Sequence, residues 1–366
     1  MRSIYKQGGL DLIDEVTFFY EERSRHTGNR KILTIPRPDA RTGLVTTIWP
    51  VGAAVIRLPA FAAADVCARL AARAGFVIDT SGYRGVYQFL PAVYSFAVGV
   101  CGLLLLGIAI GRVVGAERAL IATAMVWLAS PVAYYLTIEP LMGHSLSLGL
   151  ACGLVAVSLQ LPRTRAVGHF VLLGFICGLL VITRYQDAAY FLLPIALAWR
   201  YGFREYVAIA AGAVPVIAIQ LVVNLAWYGS PWTTGYATVV VPDWLAADVW
   251  RHLFNPLQGI FTTHPIQFLG MVGLAWVYPV HKRLVVVLCV IFVVQLYAVA
   301  ALVPAAPGMS FGNRIITSLT PAFVLGWERL SARFPTLQPV GVALVCANLV
   351  LMALYCLRVV VDPAAI

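Results

Sequence analysis

A carboxylate and an imidazole stand close together in Thr137-Ile138-Glu139-Pro140-Leu141-Met142-Gly143-His144-Ser145. Such a pair can share a metal or hold a phosphate-bearing substrate. The same stretch also reads as a helix N-terminus, with Glu139 near the positive end of the dipole and Ser145 as a cap. A second cluster is Thr183-Arg184-Tyr185-Gln186-Asp187. Its guanidinium suits phosphate recognition and Asp187 could orient it; an internal Arg184–Asp187 pair on one helix face is the other reading. In Ser310-Phe311-Gly312-Asn313-Arg314 a glycine permits close backbone approach, and the arginine can meet an anionic head group or snorkel at an interface. A fourth stretch, Asn255-Pro256-Leu257-Gln258-Gly259-Ile260-Phe261-Thr262-Thr263-His264-Pro265, ends in an imidazole that could bind a ligand or relay a proton. It reads equally as a helix start, with Thr263 capping and Pro265 in the first turn.

These clusters lie between long apolar runs. The chain has 366 residues, of which 61% are hydrophobic and 11% charged, and its mean hydropathy is +0.85. Soluble domains are about 45–50% apolar and about 25% charged. The composition excludes a secreted soluble domain, a nucleic-acid-binding protein and a peripheral anchor. The net charge of +10 therefore has a membrane explanation first, because cytoplasmic loops collect Arg and Lys. The seven cysteines are scattered singly with no CxxC pair, so they read as small core residues, with neither a zinc site nor a disulfide framework.

Apolar runs fall at 88–111, 119–136, 144–161, 168–183, 188–199, 206–228, 263–280, 284–303, 314–328 and 338–358. At about 20 residues per crossing the expected fold is all-α: a polytopic integral membrane helical bundle of about ten transmembrane helices. The runs 168–183, 188–199 and 314–328 are short and are expected to be tilted, broken or re-entrant. Residues 1–87 are expected to form an N-terminal extracytoplasmic region with one or two interfacial helices at 44–66, where Pro50, Arg57, Pro59 and Asp65 interrupt the apolar pattern; a true span there is the alternative. Residues 88–361 form the bundle, including a long loop at 229–262.

Basic residues divide unevenly between the two sets of connections. Arg112, Arg118, Arg163, Arg165, Arg200, Arg204, Lys282, Arg283, Arg329 and Arg333 belong to one set; Arg184, Arg251, Arg314 and Arg358 belong to the other. The first set is expected to face the cytoplasm. The outer set then holds Glu139, His144, Arg184, Asp187, the 229–262 loop, His264 and Arg314. His169 and His281 fall on the cytoplasmic side and His26 in the polar N-terminal stretch, all expected as surface or interface histidines.

The order of motifs resembles bacterial polytopic glycosyltransferases of the GT-C superfold, near the glycosyltransferase-39 and protein-mannosyltransferase-like group. The stretches that carry the resemblance are Gly9-Leu10-Asp11-Leu12, Ile48-Trp49-Pro50-Val51-Gly52, Glu139-Pro140 with His144-Ser145, and Thr183-Arg184-Tyr185-Gln186-Asp187. They continue with Tyr228-Gly229-Ser230-Pro231, Thr234-Gly235-Tyr236, Gly259-Ile260-Phe261 with His264-Pro265, and Phe311-Gly312-Asn313-Arg314. The resemblance covers roughly residues 3–330.

What it implies is an enzyme of the bacterial cytoplasmic (inner) membrane, with its active site facing the periplasm or exterior. Its donor would be a polyprenyl-phosphate-linked sugar and its acceptor a lipid, glycan or protein. Such enzymes resemble one another in using an acidic residue of the first outer loop as general base, and some bind a divalent cation such as Mg or Mn. A carboxylate is what inversion at an anomeric carbon needs, to deprotonate the acceptor hydroxyl. Mapped here, the resemblance implies Asp11, Asp14 and Glu139 as catalytic carboxylates, and Glu139 with His144 as metal ligands. His144, Arg184, Gln186, Asp187, His264 and Arg314 would bind substrate. It also implies a transmembrane helix and a catalytic Asp ahead of the Gly8–Leu12 stretch, so that the base would lie upstream of Met1; the alternatives are that Asp11 or Asp14 serves instead, or that catalysis has been lost. The competing class is a non-enzymatic flippase or transporter of lipid-linked sugars. Transporters often carry internal repeats and sites at the midplane; here no repeat is visible and the charges cluster at the outer edge, which favours the enzyme.

Overall fold

The structure, a computed structural model, describes residues 1–19, 38–160, 167–239, 241–302 and 311–361. Arg163, Arg165, His26, Ser310 and the side chain of Arg358 lie outside the described residues. Among the described residues the regular elements are all helices, without strands. After short helical turns at Ser3–Gln7 and 13–19 come α1 Gly52–Arg73, α2 Val86–Val114, α3 Ala116–Leu128, α4 Val132–Thr137, α5 Gly143–Gln160 and α6 Val167–Thr183. There follow α7 Leu192–Ala198, α8 Phe203–Tyr228, α9 Gly235–Val239, α10 Val249–Phe254, α11 Ile260–Thr263, α12 Pro265–Leu302, α13 Thr320–Arg333 and α14 Gln338–Val361.

Among the described residues, five helices are long and apolar enough to cross a membrane: α2, α5, α8, α12 and α14. Helix α6 is as apolar but only 17 residues long. Large apolar side chains such as Leu104, Leu105, Val214, Val222, Val350 and Leu354 point outward. In water such patches would be a liability; against lipid they are matched. The chain is thus a helical membrane protein.

Several expected runs are broken. Run 119–136 is divided into α3 and α4, with Pro131 immediately preceding the second helix. Run 188–199 continues a 3-10 helix, Tyr185–Phe191, into α7. Run 314–328 likewise opens as a 3-10 helix, Arg314–Leu319, before α13. The two 3-10 segments are tied together where Tyr190 donates from its hydroxyl to the Ser318 carbonyl at 2.5 Å.

Helix α12 spans 38 residues. Straight, it would be about 57 Å long, far beyond the roughly 30 Å hydrocarbon core of a bilayer. It is not straight. The Phe261 ring lies 5.3 Å from Phe268 and 6.1 Å from Phe292, two residues that would be about 36 Å apart along a straight helix. The chain therefore doubles back at His281, whose backbone is non-helical at φ −129 and ψ 50. The two limbs coincide with the separate apolar runs 263–280 and 284–303.

Close packing between helices rests on small residues, as it does where lipid supplies no hydrophobic drive. A Cβ on Gly102 would overlap the Gly149 backbone, joining α2 to α5, and one on Gly273 would overlap Gly326, joining α12 to α13.

One end of the bundle is basic. Arg118 donates to Glu328 at 2.7 Å, linking α3 and α13. His281 at the α12 turn sits in the field of Arg329, and Trp276 meets Phe334 edge-on at 5.5 Å. The opposite end carries the N-terminal stretch, the 229–239 segment and the candidate site. Helix α1 lies across that end. Its first residue, Gly52, abuts Ile182 and Thr183 at the end of α6, while Asp65 farther along hydrogen-bonds to Tyr87 at the start of α2. A helix touching the same end of the bundle at both places does not run the length of the bundle.

Candidate functional site

Three of the expected residues meet at this end. His144 opens α5, Arg184 follows the last residue of α6, and Arg314 begins the 3-10 segment before α13. His144 is buried; its Nδ1 faces the Thr317 hydroxyl at 3.4 Å and its ring packs 5.0 Å from Tyr135. Both guanidinium groups lie close enough to His144 to act on it electrostatically, and they repel each other. Arg314 touches the Met142 sulfur at 3.7 Å through Nη1. Arg184 Nη1 is buried with no hydrogen-bond partner, and so is Nδ2 of Asn313, the residue before Arg314. Among the described residues no carboxylate pairs with either arginine. A buried charged donor without an acceptor is costly, by upward of about 1–3 kcal/mol. Arg184 with its unfilled donor, in the field of the half-exposed Arg314 and close to the unpartnered Asn313 amide, makes a site for an anion.

The site is held from below and from the side. Asp187 acts on Arg184 through its charge but forms no salt bridge with it; it is fully buried and turned into the bundle. Its carboxylate accepts from Ser147 and Ser318 hydroxyls and from Gln295 Nε2, the last two at 2.9 and 3.1 Å. It knots α5, α12 and the two 3-10 segments. Gln186 donates to the Ile315 carbonyl at 2.6 Å, so it too fastens the Arg314 segment.

His264 is also buried away from the arginines. Its ring nitrogens meet Asn348 Oδ1 at 3.0 Å and the Thr263 hydroxyl at 2.9 Å. The ring packs against Phe311, 5.6 Å away. Gly312 follows at φ +56, and a Cβ there would overlap His264 Cε1. His264 thereby shapes the backbone that presents Arg314.

The carboxylates of the expected catalytic set do not join this group. Glu139 lies beside the Tyr134 hydroxyl and near Cys356 of α14, whereas His144 faces Thr317. The turn between them sends the two side chains to different partners. Together with the two cations beside His144, this gives a poor fit to a shared divalent metal. Among the described residues no three His, Cys, Asp or Glu side chains gather. Asp11 accepts from the backbone amides of Ile13 and Val45, both at 3.1 Å, and Asp14 accepts from Gln7 at 2.5 Å.

Some contacts at the site have no local signal in the sequence. Arg57 of α1 is buried, donates to Ser95 at 2.6 Å, and holds the carbonyls of Pro140 and Met142 at 3.0 and 2.7 Å. Its burial pushes its pKa down to about 10, still charged at neutral pH. As a charge in an apolar run it stands out; its partners, some 80 positions on, do not. Trp49 and Tyr236 meet edge-to-face at 5.7 Å, and Tyr185 lies 6.3 Å from Tyr236.

Comparison of the chain with protein-family models, with curated proteins and with solved structures finds no match. Fold and site together define a helical membrane protein with a paired-arginine cluster at one end of its bundle.

Proposed function

We propose that this chain is a membrane glycosyltransferase of GT-C type, with about ten crossings, that takes a sugar from a polyprenyl-phosphate carrier. In this reading the site end faces the exterior of the bacterial cytoplasmic membrane and the basic end faces the cytoplasm. The observation that carries it is the buried, unpartnered Nη1 of Arg184 beside Arg314. A lipid phosphate supplies the missing acceptors and places its chain in the surrounding bilayer.

The chemistry is a displacement. A carboxylate removes the proton from an acceptor hydroxyl, the oxygen attacks the anomeric carbon, and the bond to the carrier phosphate breaks. Arg184 and Arg314 stabilise the charge that gathers on the leaving phosphate. In this reading Glu139, on the turn whose Met142 touches Arg314, orients the acceptor, and Asp11 or Asp14 of the N-terminal stretch is the base.

The test is binding of undecaprenyl phosphate to the purified full chain in nanodiscs. Arg184→Ala and Arg314→Ala should each weaken it by roughly 10- to 100-fold, as expected for a charge-assisted hydrogen bond. Arg112→Ala, at the opposite end, should leave it unchanged. Unaltered affinity in both site variants would overturn the phosphate reading. Movement of a sugar-bearing carrier across the bilayer, with no transfer to any acceptor, would reassign the chain to transport.

A further inference from the structure

The first half of the 229–262 loop is fastened to the segment ahead of α1. Tyr228 donates its hydroxyl hydrogen to the Thr47 carbonyl at 2.7 Å, and Asn224 holds the Pro231 carbonyl at 3.1 Å. Gly235 lies so close to Ile48 that a Cβ would overlap the Ile48 backbone. This docking sets Trp49 and Tyr236 edge-to-face at 5.7 Å, in a fixed corner. Trp49 nevertheless remains 55% exposed. Tyr236 is half-buried, its hydroxyl makes no hydrogen bond with the described residues, and it lies within the field of both Arg184 and Arg314. A rigid aromatic corner with an open face thus adjoins the anion site.

We propose that Trp49 and Tyr236 form a platform for a pyranose ring, which lies against the aromatic faces while its phosphate occupies the Arg184–Arg314 site. A pyranose has one face of C–H groups, which carry partial positive charge. An aromatic face carries the negative part of the ring quadrupole and attracts them. The free Tyr236 hydroxyl meets the sugar's own hydroxyls at the rim. The platform selects for a sugar-bearing carrier over the bare one, a discrimination the arginines cannot make because both carriers present a phosphate. The inference rests on reading Arg184 and Arg314 as the phosphate site.

The experiment compares two probes on the full chain in nanodiscs: undecaprenyl phosphate, and the same carrier bearing glucose, galactose or mannose in turn. The wild-type chain should bind at least one hexose-bearing carrier more tightly than the bare one. Trp49→Ala and Tyr236→Ala should weaken that carrier by about five- to ten-fold, the size of one aromatic contact, and leave the bare carrier within about two-fold. Trp49→Phe should retain most of the preference. Arg184→Ala should weaken both probes alike. Equal effects of Trp49→Ala on both probes would make Trp49 an interfacial membrane anchor and overturn the platform. So would the lack of any hexose preference in the wild-type chain. Full binding of both probes by Arg184→Ala would instead sink the phosphate site, so the two failures are told apart.

Discussion

Gly312 lies against His264 with no room for a Cβ, and its φ of +56 is one that side chains with a Cβ rarely adopt. Gly312→Ala therefore meets two penalties. The left-handed backbone costs roughly 1–2 kcal/mol, and the clash with the imidazole and Pro131 adds to it. Gly8 has φ +66 but open space around its Cβ position. Gly8→Ala should show the backbone penalty alone. Thermal unfolding of the two variants in detergent checks this. Equal losses would mean that the His264 contact does not constrain the Arg314 segment.

Arg57 holds the turn that carries Met142, the neighbour of Arg314. Arg57→Ala leaves the carbonyls of Pro140 and Met142 without their donor, a loss of about 1–3 kcal/mol. Affinity for undecaprenyl phosphate should also fall by roughly ten-fold, on the same scale, because the turn is freed, although Arg57 itself makes no contact with the arginine pair. Arg57→Lys, which keeps the charge but not the forked geometry, should recover only part of the affinity. Calorimetric binding with unfolding curves on the same samples separates the two effects.

Asp65 anchors the N-terminal stretch. It pairs with Lys6 and Arg69, each at 2.7 Å, and accepts from the Tyr87 hydroxyl at 2.7 Å. Burial alone would raise its pKa; hydrogen bonds from Lys6, Tyr87 and Arg69 outweigh it and hold the carboxyl at about 2. A depressed carboxylate pKa contributes stability above the ordinary value of about 3.9, lost as pH falls through about 2. Hydrogen exchange at residues 1–9 should therefore accelerate between those limits in the wild-type chain. Asp65→Asn should flatten that dependence. At neutral pH it should also speed tryptic cleavage after Lys6 by at least about ten-fold, since a buried ion pair loses one partner.

Spin labels at positions 268 and 292 report on the doubling back of α12. The structure brings both parent rings against Phe261, so the label distance should be short, under about 20 Å with the label arms included. A straight helix would give about 36 Å between the backbones. A distance near the larger value would remove the turn at His281.

What could be read in the sequence was mainly where charges interrupt apolar runs. Arg184 and Arg314 each stand at the edge of such a run, and counting basic residues assigns them to one side. The helices follow from apolar length, and even the two limbs of α12 show as separate runs around Pro279, His281, Lys282 and Arg283. Side-chain direction could not be read. Glu139 and His144 are near in sequence, yet the intervening turn aims one at Tyr134 and the other at Thr317. Asp187 has the same sequence signature whether it faces Arg184 or the bundle interior, and the choice is made by Ser147, Gln295 and Ser318, scattered over three other segments. The Trp49–Tyr236 corner depends on contacts across almost 190 positions, for which a single sequence carries no local pattern.

The turn at His281 determines a parity. A chain that crosses a membrane once emerges on the other side, and one that crosses twice emerges where it entered. Because α12 returns on itself, the chain leaving Leu302 is on the same side as the chain that arrived at Pro265. Were α12 a single crossing, everything after it would be reflected: Arg314 would face away from Arg184 by the thickness of the bilayer, and neither arginine would have its companion. One residue with non-helical angles thus decides whether Arg184 and Arg314 can share a compartment at all.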